Sequence, residues 1–158
     1  MHSIKVEQLV RHFGKNVAVD DISFNVESGE IFGFLGPNGA GKTTTINMLC
    51  TLLRPTSGRA LVNGYDVGKQ QALVRQSIGM IFQDPSLDDK LTGRENLLFH
   101  GMLYGLSSDD FSDKSTKLLD MVELAGREEE VVQNYSGGMK RRLEIARGLL
   151  HIPQVLFL

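Results

Sequence analysis

One glycine-rich stretch decides the fold of this chain: Gly36-Pro37-Asn38-Gly39-Ala40-Gly41-Lys42-Thr43-Thr44. It matches the pattern G-x-x-x-x-G-K-[ST] at Gly36, Gly41, Lys42 and Thr43. Because glycine has no Cβ, the backbone can curl until successive N–H groups point at one anion. An apolar run precedes the stretch and a helical pattern follows it, which is the strand, loop and helix order of a phosphate-binding loop.

This P-loop predicts a nucleoside triphosphate as the ligand, above all ATP. Lys42 would reach the β- and γ-phosphates, the Thr43 hydroxyl would ligate Mg²⁺, and N–H groups near Thr44 would meet the α-phosphate. The partial positive charge at the helix start adds to the attraction. The alternative is a glycine-rich turn with no ligand, and the strand and helix on either side argue against it.

The composition excludes several classes of protein. The chain has 158 residues with 17 basic and 19 acidic side chains, a formal charge of −2, so nucleic acid is not the expected partner. The lone cysteine, Cys50, lies in an apolar helical stretch and is expected to be a buried inert thiol in a reducing compartment. No signal peptide and no apolar run of about 18 residues is present, so any membrane link is expected to go through a partner.

Short alternating patterns predict a small antiparallel sheet in the N-terminal part. Residues 4–6 and 22–26 alternate apolar with polar side chains, and Asp20-Asp21 is the predicted turn before the second strand. The continuous apolar run at residues 31–35 predicts a strand that is buried on both faces. Asn63-Gly64 predicts a tight hairpin turn.

After the P-loop, helical spacing places Ile46, Leu49, Cys50 and Leu53 on one face of a helix that Pro55 brings to an end. Residues 78–82 form a second short apolar strand candidate that ends at Gln83.

Two predicted helices follow Gln83. Thr92-Gly93-Arg94-Glu95 is a capping-box arrangement that begins a helix, and Gly105 ends it. Ser108-Asp109-Asp110 is the predicted cap of the next helix, which ends before Gly126. Its predicted apolar face consists of Phe111, Leu118, Val122 and Ala125. Residues 84–134 are therefore expected to form a helical lobe.

Near the C-terminus, Ser136-Gly137-Gly138 precedes an amphipathic basic helix of about residues 139–150, and residues 155–158 form an apolar strand candidate. Taken alone, the Ser-Gly-Gly stretch could be only an N-cap and a loop. The Lys140-Arg141-Arg142 cluster is expected to be a solvated helix face that Glu144 balances.

A P-loop alone leaves kinases, small GTPases, helicases and transport ATPases open. The stretch Tyr135-Ser136-Gly137-Gly138-Met139-Lys140-Arg141-Arg142 resembles the signature motif of ABC ATPases, and Gln83 resembles their Q-loop. Phe13-Gly14 resembles the A-loop, whose aromatic ring stacks on adenine, and residues 155–158 resemble the apolar half of a Walker B strand. The resemblance covers the whole chain and is strongest to the ATP-binding subunit of ABC-2-type, drug-resistance-like exporters.

This resemblance implies an α/β fold: a P-loop NTPase core with a small N-terminal antiparallel β part and an inserted helical lobe. It implies one nucleotide-binding domain over residues 1–158, with an ATP-binding core at 1–83, the helical lobe at 84–134, and the signature helix and the start of the Walker B strand at 135–158. In the family this strand continues into an aspartate and a glutamate. Neither follows Leu158, so the expectation is a domain truncated before the Walker B carboxylates that binds ATP better than it hydrolyses it.

The resemblance also implies roles for individual residues. Lys42 and Gln83 would be catalytic, and Thr43 and Gln83 would hold Mg²⁺. ATP would contact Phe13 and the P-loop residues Gly36, Pro37, Asn38, Gly39, Ala40, Gly41, Lys42, Thr43 and Thr44. In a head-to-tail dimer, Ser136, Gly137 and Gly138 would contact the γ-phosphate of ATP held by a second subunit. The plainer alternatives are a solvated surface glutamine at Gln83 and a core aromatic at Phe13.

The function implied is that of the ATP-binding subunit of an ABC transporter, which couples ATP binding and hydrolysis to export by a separate transmembrane permease. Such a subunit is cytoplasmic and lies on the inner face of the cell membrane. A soluble ABC ATPase of translation or DNA repair is one alternative, although those proteins usually carry tandem cassettes or long coiled-coil insertions, which this sequence lacks. An inactive ATP-binding remnant is the other.

Overall fold

The computed structural model describes residues 2–81 and 86–158. It divides into two compact units, Met1–Ile78 and Gly79–Leu158. None of the helices in these ranges is long and apolar enough to cross a bilayer. In chain order the elements are β1 (His2–Phe13), β2 (Asn16–Glu27), α1 (Lys42–Leu49), β3 (Ser57–Val62), β4 (Tyr65–Asp66), α2 (Gln71–Ser77), β5 (Ile78–Met80), α3 (Gly93–Leu103), α4 (Ser108–Met121), a 3₁₀ turn (Val132–Asn134), α5 (Gly137–Leu149) and β6 (Val155–Phe157).

The first unit contains a four-stranded antiparallel sheet in the order β2-β1-β3-β4, which confirms the predicted N-terminal β part. Strands β1 and β2 form a hairpin in which Phe13 pairs with Asn16 across the turn Gly14-Lys15. The turn predicted at Asp20-Asp21 is wrong, because β2 runs through both residues. The strand absorbs the irregularity as a bulge, with φ of 46° at Asp21 and a register shift against β1.

The apolar run at residues 31–35 is not the doubly buried strand that the sequence predicts. No strand of residues 2–81 and 86–158 pairs with it. One side of the run packs, since Phe32 and Phe34 both lie against Phe24 of β2 with ring centroids 5.3 Å apart. The other side is open, with Ile31 100% and Leu35 96% exposed. A strand needs ladder partners as well as apolar side chains, and the described residues supply none for this run.

Helix α1 begins at Lys42 and packs on β2 and β3. It ends at Leu49, several residues before the predicted end at Pro55, and Thr51 has a positive φ of 63° that no continuing helix allows. Leu49 and Cys50 of the predicted apolar face are buried, whereas Leu53 lies beyond the helix and is only half-buried. Burial raises the pKa of the Cys50 thiol to about 12, which confirms the prediction of a buried inert thiol.

The Asn63-Gly64 turn is confirmed between β3 and β4, with φ of 49° at Asn63 and 80° at Gly64. Positive φ at both central residues is the geometry that joins two strands through a two-residue loop.

The second unit is built from α3, α4 and α5 around one apolar core. The core residues are Leu97, Phe111, Leu119, Val122, Leu124, Val132, Tyr135, Leu143, Ala146 and Leu150. The helix that carries the Ser-Gly-Gly stretch therefore shares a core with the two helices before it. Strands β5 and β6 pair in a short sheet, and the Ile81 N–H donates to the Phe157 carbonyl at 2.9 Å. The predicted division of the domain at residues 83 and 134 stays a prediction.

The start of α3 is the predicted capping box. The Glu95 N–H donates to Thr92 Oγ1 at 3.1 Å, and the Thr92 N–H donates to Glu95 Oε2 at 2.8 Å. The cap predicted for α4 is one residue too late. Ser107 is the N-cap, and its hydroxyl accepts from the Asp110 N–H at 3.1 Å. Ala125 is exposed, contrary to prediction, because α4 has already ended at Met121.

Candidate functional site

Two features of the first unit place the P-loop. After β2, the Glu30 N–H donates to the Glu27 carbonyl at 3.2 Å and turns the chain back. The contacts of Phe32 and Phe34 with Phe24 then hold the segment that leads to the loop along β2. The loop is thus anchored from one side before it begins at Gly36.

Gly41 is the point where β2 touches the loop. It is the N-cap of α1 and has the left-handed conformation, with φ of 84°. A Cβ at this position would collide with the carbonyl oxygen of Ala18 and lie 3.2 Å from Val19 Cγ2. Any other residue would be strained in conformation and would push β2 away. Glycine is therefore required here by the fold as well as by the phosphate that the motif predicts.

The start of α1 offers free backbone donors. No side chain caps the helix. Its first intrahelical bond runs from the Thr45 N–H to the Gly41 carbonyl at 2.8 Å, so the N–H groups of residues 42–44 have no carbonyl within the helix. These donors and the partial positive charge of the helix end form an anion-binding position.

The Lys42 ammonium group lies over the loop. Its Nζ donates to the Gly36 carbonyl at 2.6 Å and to the Pro37 carbonyl at 2.7 Å. These are contacts with neutral carbonyls, which a phosphate would replace with stronger charge-assisted hydrogen bonds. A cationic group is thus already held at the place where the motif predicts the terminal phosphates.

The loop also fits a magnesium ion that arrives with the nucleotide. Thr43 is exposed in the first turn of α1 and carries the hydroxyl oxygen that Mg²⁺ accepts as a ligand. Within residues 2–81 and 86–158, no group of three or more His, Cys, Asp or Glu side chains could hold a metal ion. Thr43 would hold a magnesium ion together with phosphate oxygens of the nucleotide, as is usual for this ion.

Phe13 lies at the end of β1 and is 44% exposed, so it is not the core aromatic that was the plainer alternative. Its strand partner Asn16 is two residues along β2 from Ala18, which contacts Gly41. Strand rise and strand spacing place the Phe13 backbone on the order of 8 Å from Ala18. The end of the β1–β2 hairpin and the P-loop therefore lie close together in the first unit.

The Ser-Gly-Gly stretch begins α5 in the second unit. Ser136 is the N-cap, and its hydroxyl accepts from the Met139 N–H at 3.2 Å. Gly137 and Gly138 are both exposed. Among residues 2–81 and 86–158, a Cβ on Gly137 would meet nothing within 4 Å, and one on Gly138 would meet only Ser136 Oγ, at 3.9 Å. Packing therefore does not explain why both positions are glycine.

The residues on either side of this stretch hold it in place. Tyr135 is buried, and its hydroxyl donates to the Arg127 carbonyl at 2.7 Å. Desolvation, and next the Glu130 carboxylate, raise the pKa of Tyr135. A Cβ on Gly93 would lie 2.5 Å from the Tyr135 hydroxyl, so Gly93 makes the room for this ring. Met139 packs against the core of the second unit.

The basic cluster of α5 differs from its prediction. Lys140 pairs with Asp89 at 2.7 Å and Arg142 pairs with Glu123 at 3.0 Å, so other carboxylates balance it. Glu144 is fully buried, with 0% exposure. Its Oε1 accepts from Arg147 at 2.6 Å and from the Ser86 hydroxyl at 3.1 Å.

This buried Glu144 and Arg147 network was missed by the sequence reasoning. The signal available was the i,i+3 spacing of an acidic and a basic residue on the predicted helix. That spacing is common on solvated helices, so it does not by itself indicate burial. Gln83, the predicted Q-loop residue, lies outside the described residues.

The comparisons with known proteins match this geometry. The family model described as ABC transporter matches residues 19–158. The chain belongs to the ABC transporter ATP-binding family. The doxorubicin resistance ATP-binding protein DrrA of Mycobacterium tuberculosis is 48% identical over 145 residues, which is 92% of this chain and 44% of that protein. The linearmycin resistance ATP-binding protein LnrL of Bacillus subtilis is 41% identical over 155 residues, which is 98% of this chain and 50% of that protein.

The fold of this chain is also similar to that of solved ABC transporter structures. An ATP-binding cassette of an ABC transporter, crystallised in its ADP conformation, has a TM-score of 0.86 and 27% identity over 99% of this chain and 67% of its own. The α/β P-loop fold with an antiparallel N-terminal sheet and the resemblance to drug-resistance exporters are both confirmed. The chain spans about half the length of the curated relatives it matches.

Proposed function

We propose that this chain binds MgATP at residues 36–44 as the ATP-binding subunit of an ABC exporter, and that ATP binding and hydrolysis there serve transport by a separate membrane permease. The observation that carries the proposal is the P-loop itself. Gly41 is wedged against Ala18 in a conformation that favours glycine, the start of α1 has open donors, and Lys42 lies over the loop.

In this proposal Lys42 exchanges the carbonyls of Gly36 and Pro37 for the β- and γ-phosphates. The open N–H groups at the start of α1 hold the phosphates near Thr44. A bound Mg²⁺, ligated by Thr43 and by phosphate oxygens, would neutralise developing charge on those oxygens. A further ligand role for Gln83 stays a prediction. The adenine base stacks on the exposed ring of Phe13.

A second subunit completes the site in the proposal. Ser136, Gly137 and Gly138 present a hydroxyl and unobstructed backbone to the γ-phosphate of ATP held by the other subunit of a head-to-tail dimer. The Ser136 hydroxyl accepts one hydrogen bond from the Met139 N–H, and its own proton remains free to donate to a phosphate. The absence of any packing reason for two glycines at this helix start supports the same conclusion.

The α3 stripe, consisting of Leu98, Phe99, Met102 and Leu103, is the proposed contact with the permease. All four side chains are exposed, and Met102 and Leu103 reach 69%. They occupy the face of α3 opposite buried Leu97 and Gly101. A contiguous apolar surface of this kind favours a protein partner. The subunit would accordingly lie on the cytoplasmic face of the membrane, where ATP is available.

A thermal unfolding assay tests the ATP site. Because a ligand that binds only the folded state raises its stability, MgATP at about 100 times its Kd should stabilise the chain by about 2.7 kcal/mol. Lys42→Ala should abolish this effect. Lys90→Ala, which removes an exposed lysine of the second unit, is the matched control and should keep the full shift. An unchanged ATP-induced shift in the Lys42 variant would refute the proposed site.

A further inference from the structure

Arg11 of β1 makes two contacts that fix its guanidinium group. Its Nη1 donates to the Arg54 carbonyl at 2.7 Å. Its Cζ lies 4.5 Å from the centroid of the Phe13 ring. The two side chains are two residues apart on one strand and so project from the same face of β1. The guanidinium group therefore lies between a backbone carbonyl and an aromatic ring.

The carbonyl end of this arrangement is itself held in place. The Thr56 N–H donates to the Val10 carbonyl at 2.8 Å, and the His12 N–H donates to Thr56 Oγ1 at 3.0 Å. Thr56, two residues after Arg54, is thus bonded to Val10 and to His12, the residues immediately before and after Arg11 on β1. The carbonyl that accepts from the guanidinium group is therefore held next to β1 by hydrogen bonds within the first unit.

The position of Arg11 leaves one of its nitrogen donors buried and unpaired among the described residues, which costs free energy. Its Nε is buried and has no hydrogen-bond partner among residues 2–81 and 86–158. An apolar side chain could cover the same ring without burying an unpaired donor. The contacts that offset this cost are the bond to Arg54 and the cation–π contact with Phe13.

We infer that Arg11 is a positioning residue for the nucleotide base: it covers one face of the Phe13 ring and holds the ring so that the other face stacks on adenine. The inference rests on the proposed function, because it assigns a role at the ATP site. The cation also polarises the ring that the base contacts. Arg11 would then contribute to the affinity for the base and leave the affinity for the phosphates to the P-loop.

The test compares two ligands on the purified chain. Kd values for MgATP and for magnesium tripolyphosphate, which has no base, are measured by titration calorimetry. Arg11→Met keeps the aliphatic stem and removes the charge, and it should weaken MgATP about two- to fivefold, because the ring loses the cation–π contact that orders it before the base binds. Tripolyphosphate affinity should not change. Lys5→Met is the control, because it removes a positive charge of the same strand that is paired with Glu7, at 2.7 Å.

A double-mutant cycle separates positioning from general stability. Phe13→Ala should weaken MgATP about tenfold, as expected for the loss of one stacked base. In that background, Arg11→Met should have no further effect. Arg11→Lys should restore part of the affinity, because it returns the charge without the planar fork.

The outcomes distinguish a failure of the proposed function from a failure of the inference about Arg11. If the unaltered chain binds neither ligand, the proposed function is wrong. If it binds both, the inference about Arg11 is wrong in any of three cases: Arg11→Met binds MgATP as tightly as or more tightly than the unaltered chain, weakens both ligands equally, or loses as much affinity without Phe13 as with it.

Discussion

Two helices of the chain start at glycine-rich motifs, α1 at the P-loop and α5 at the Ser-Gly-Gly stretch, and the two starts are built in opposite ways. At α1 the N-cap is Gly41, no side chain caps the helix, and β2 lies directly behind the glycine. At α5 the N-cap is Ser136, its hydroxyl is engaged, and Gly137 has nothing within 4 Å of a Cβ. The first start is shaped by its own fold, and the second is left open toward solvent.

The difference teaches how to separate structural from functional glycines. A glycine with a positive φ and a close backbone neighbour is required before any ligand arrives. A glycine in helical conformation with open space around it gains nothing for the fold and costs helix stability. Glycine at such a place is best explained by an approaching ligand, which is why the two starts give different predictions for the same substitution.

The largest effect is expected at Gly41. Gly41→Ala should lower the free energy of unfolding by about 2–4 kcal/mol. The loss has two causes, the strain of alanine in the left-handed conformation and the collision of its Cβ with the Ala18 carbonyl. Gly39→Ala is the matched control, because Gly39 has a φ of 86° but open space around it, and it should cost only about 1 kcal/mol. Urea unfolding without nucleotide measures both. Equal losses would show that the contact with β2 does not matter.

Lowering the pH is expected to reduce the stability of the unit that contains α5 and to leave that of the unit that contains α1 unchanged. Burial, and next the charges of Arg147 and His151, lower the pKa of His100 from 6.5 to about 4. The unfolded state then binds more protons between these values, so stability is lost as pH falls from 6.5 toward 4. Because His100 is partly accessible, we expect a loss of about 2 kcal/mol in the second unit.

Hydrogen exchange measured across this pH range locates the loss in one unit or the other. His100→Gln should flatten the dependence in the second unit, while His12→Gln, which changes an exposed histidine of the first unit, should leave it intact. A loss confined to the first unit would contradict the prediction.

The smallest effect on stability is expected at Gly137. Gly137→Ala should change the free energy of unfolding by about 0.5 kcal/mol or less, in the stabilising direction, because alanine is the better helix former. It should nevertheless abolish ATP-dependent self-association, measured by sedimentation velocity. Ser136→Ala differs, since removing the cap should cost about 1 kcal/mol. Intact self-association in the Gly137 variant would mean that α5 does not meet the phosphate of a second subunit.

The sequence predicted the local signals of both units well. The capping box of Thr92 and Glu95 and the Asn63-Gly64 turn both formed as expected, because each depends on residues a few positions apart. One of the failures has a long-range cause. The Asp20-Asp21 turn became a bulge because β1 offered a partner on both sides of it.

By itself, the sequence determined the chemistry of the two helix starts and the family to which they belong. The spacing of Gly36, Gly41 and Lys42 indicates the phosphate site, since a phosphate loop is made by consecutive residues. The Ser136-Gly137-Gly138 stretch then indicates the family. Only the tertiary structure decided that Ile31 and Leu35 are exposed, that Glu144 is fully buried and that Arg11 lies on the Phe13 ring. These depend on which distant segments pack together, and no local pattern carries that information.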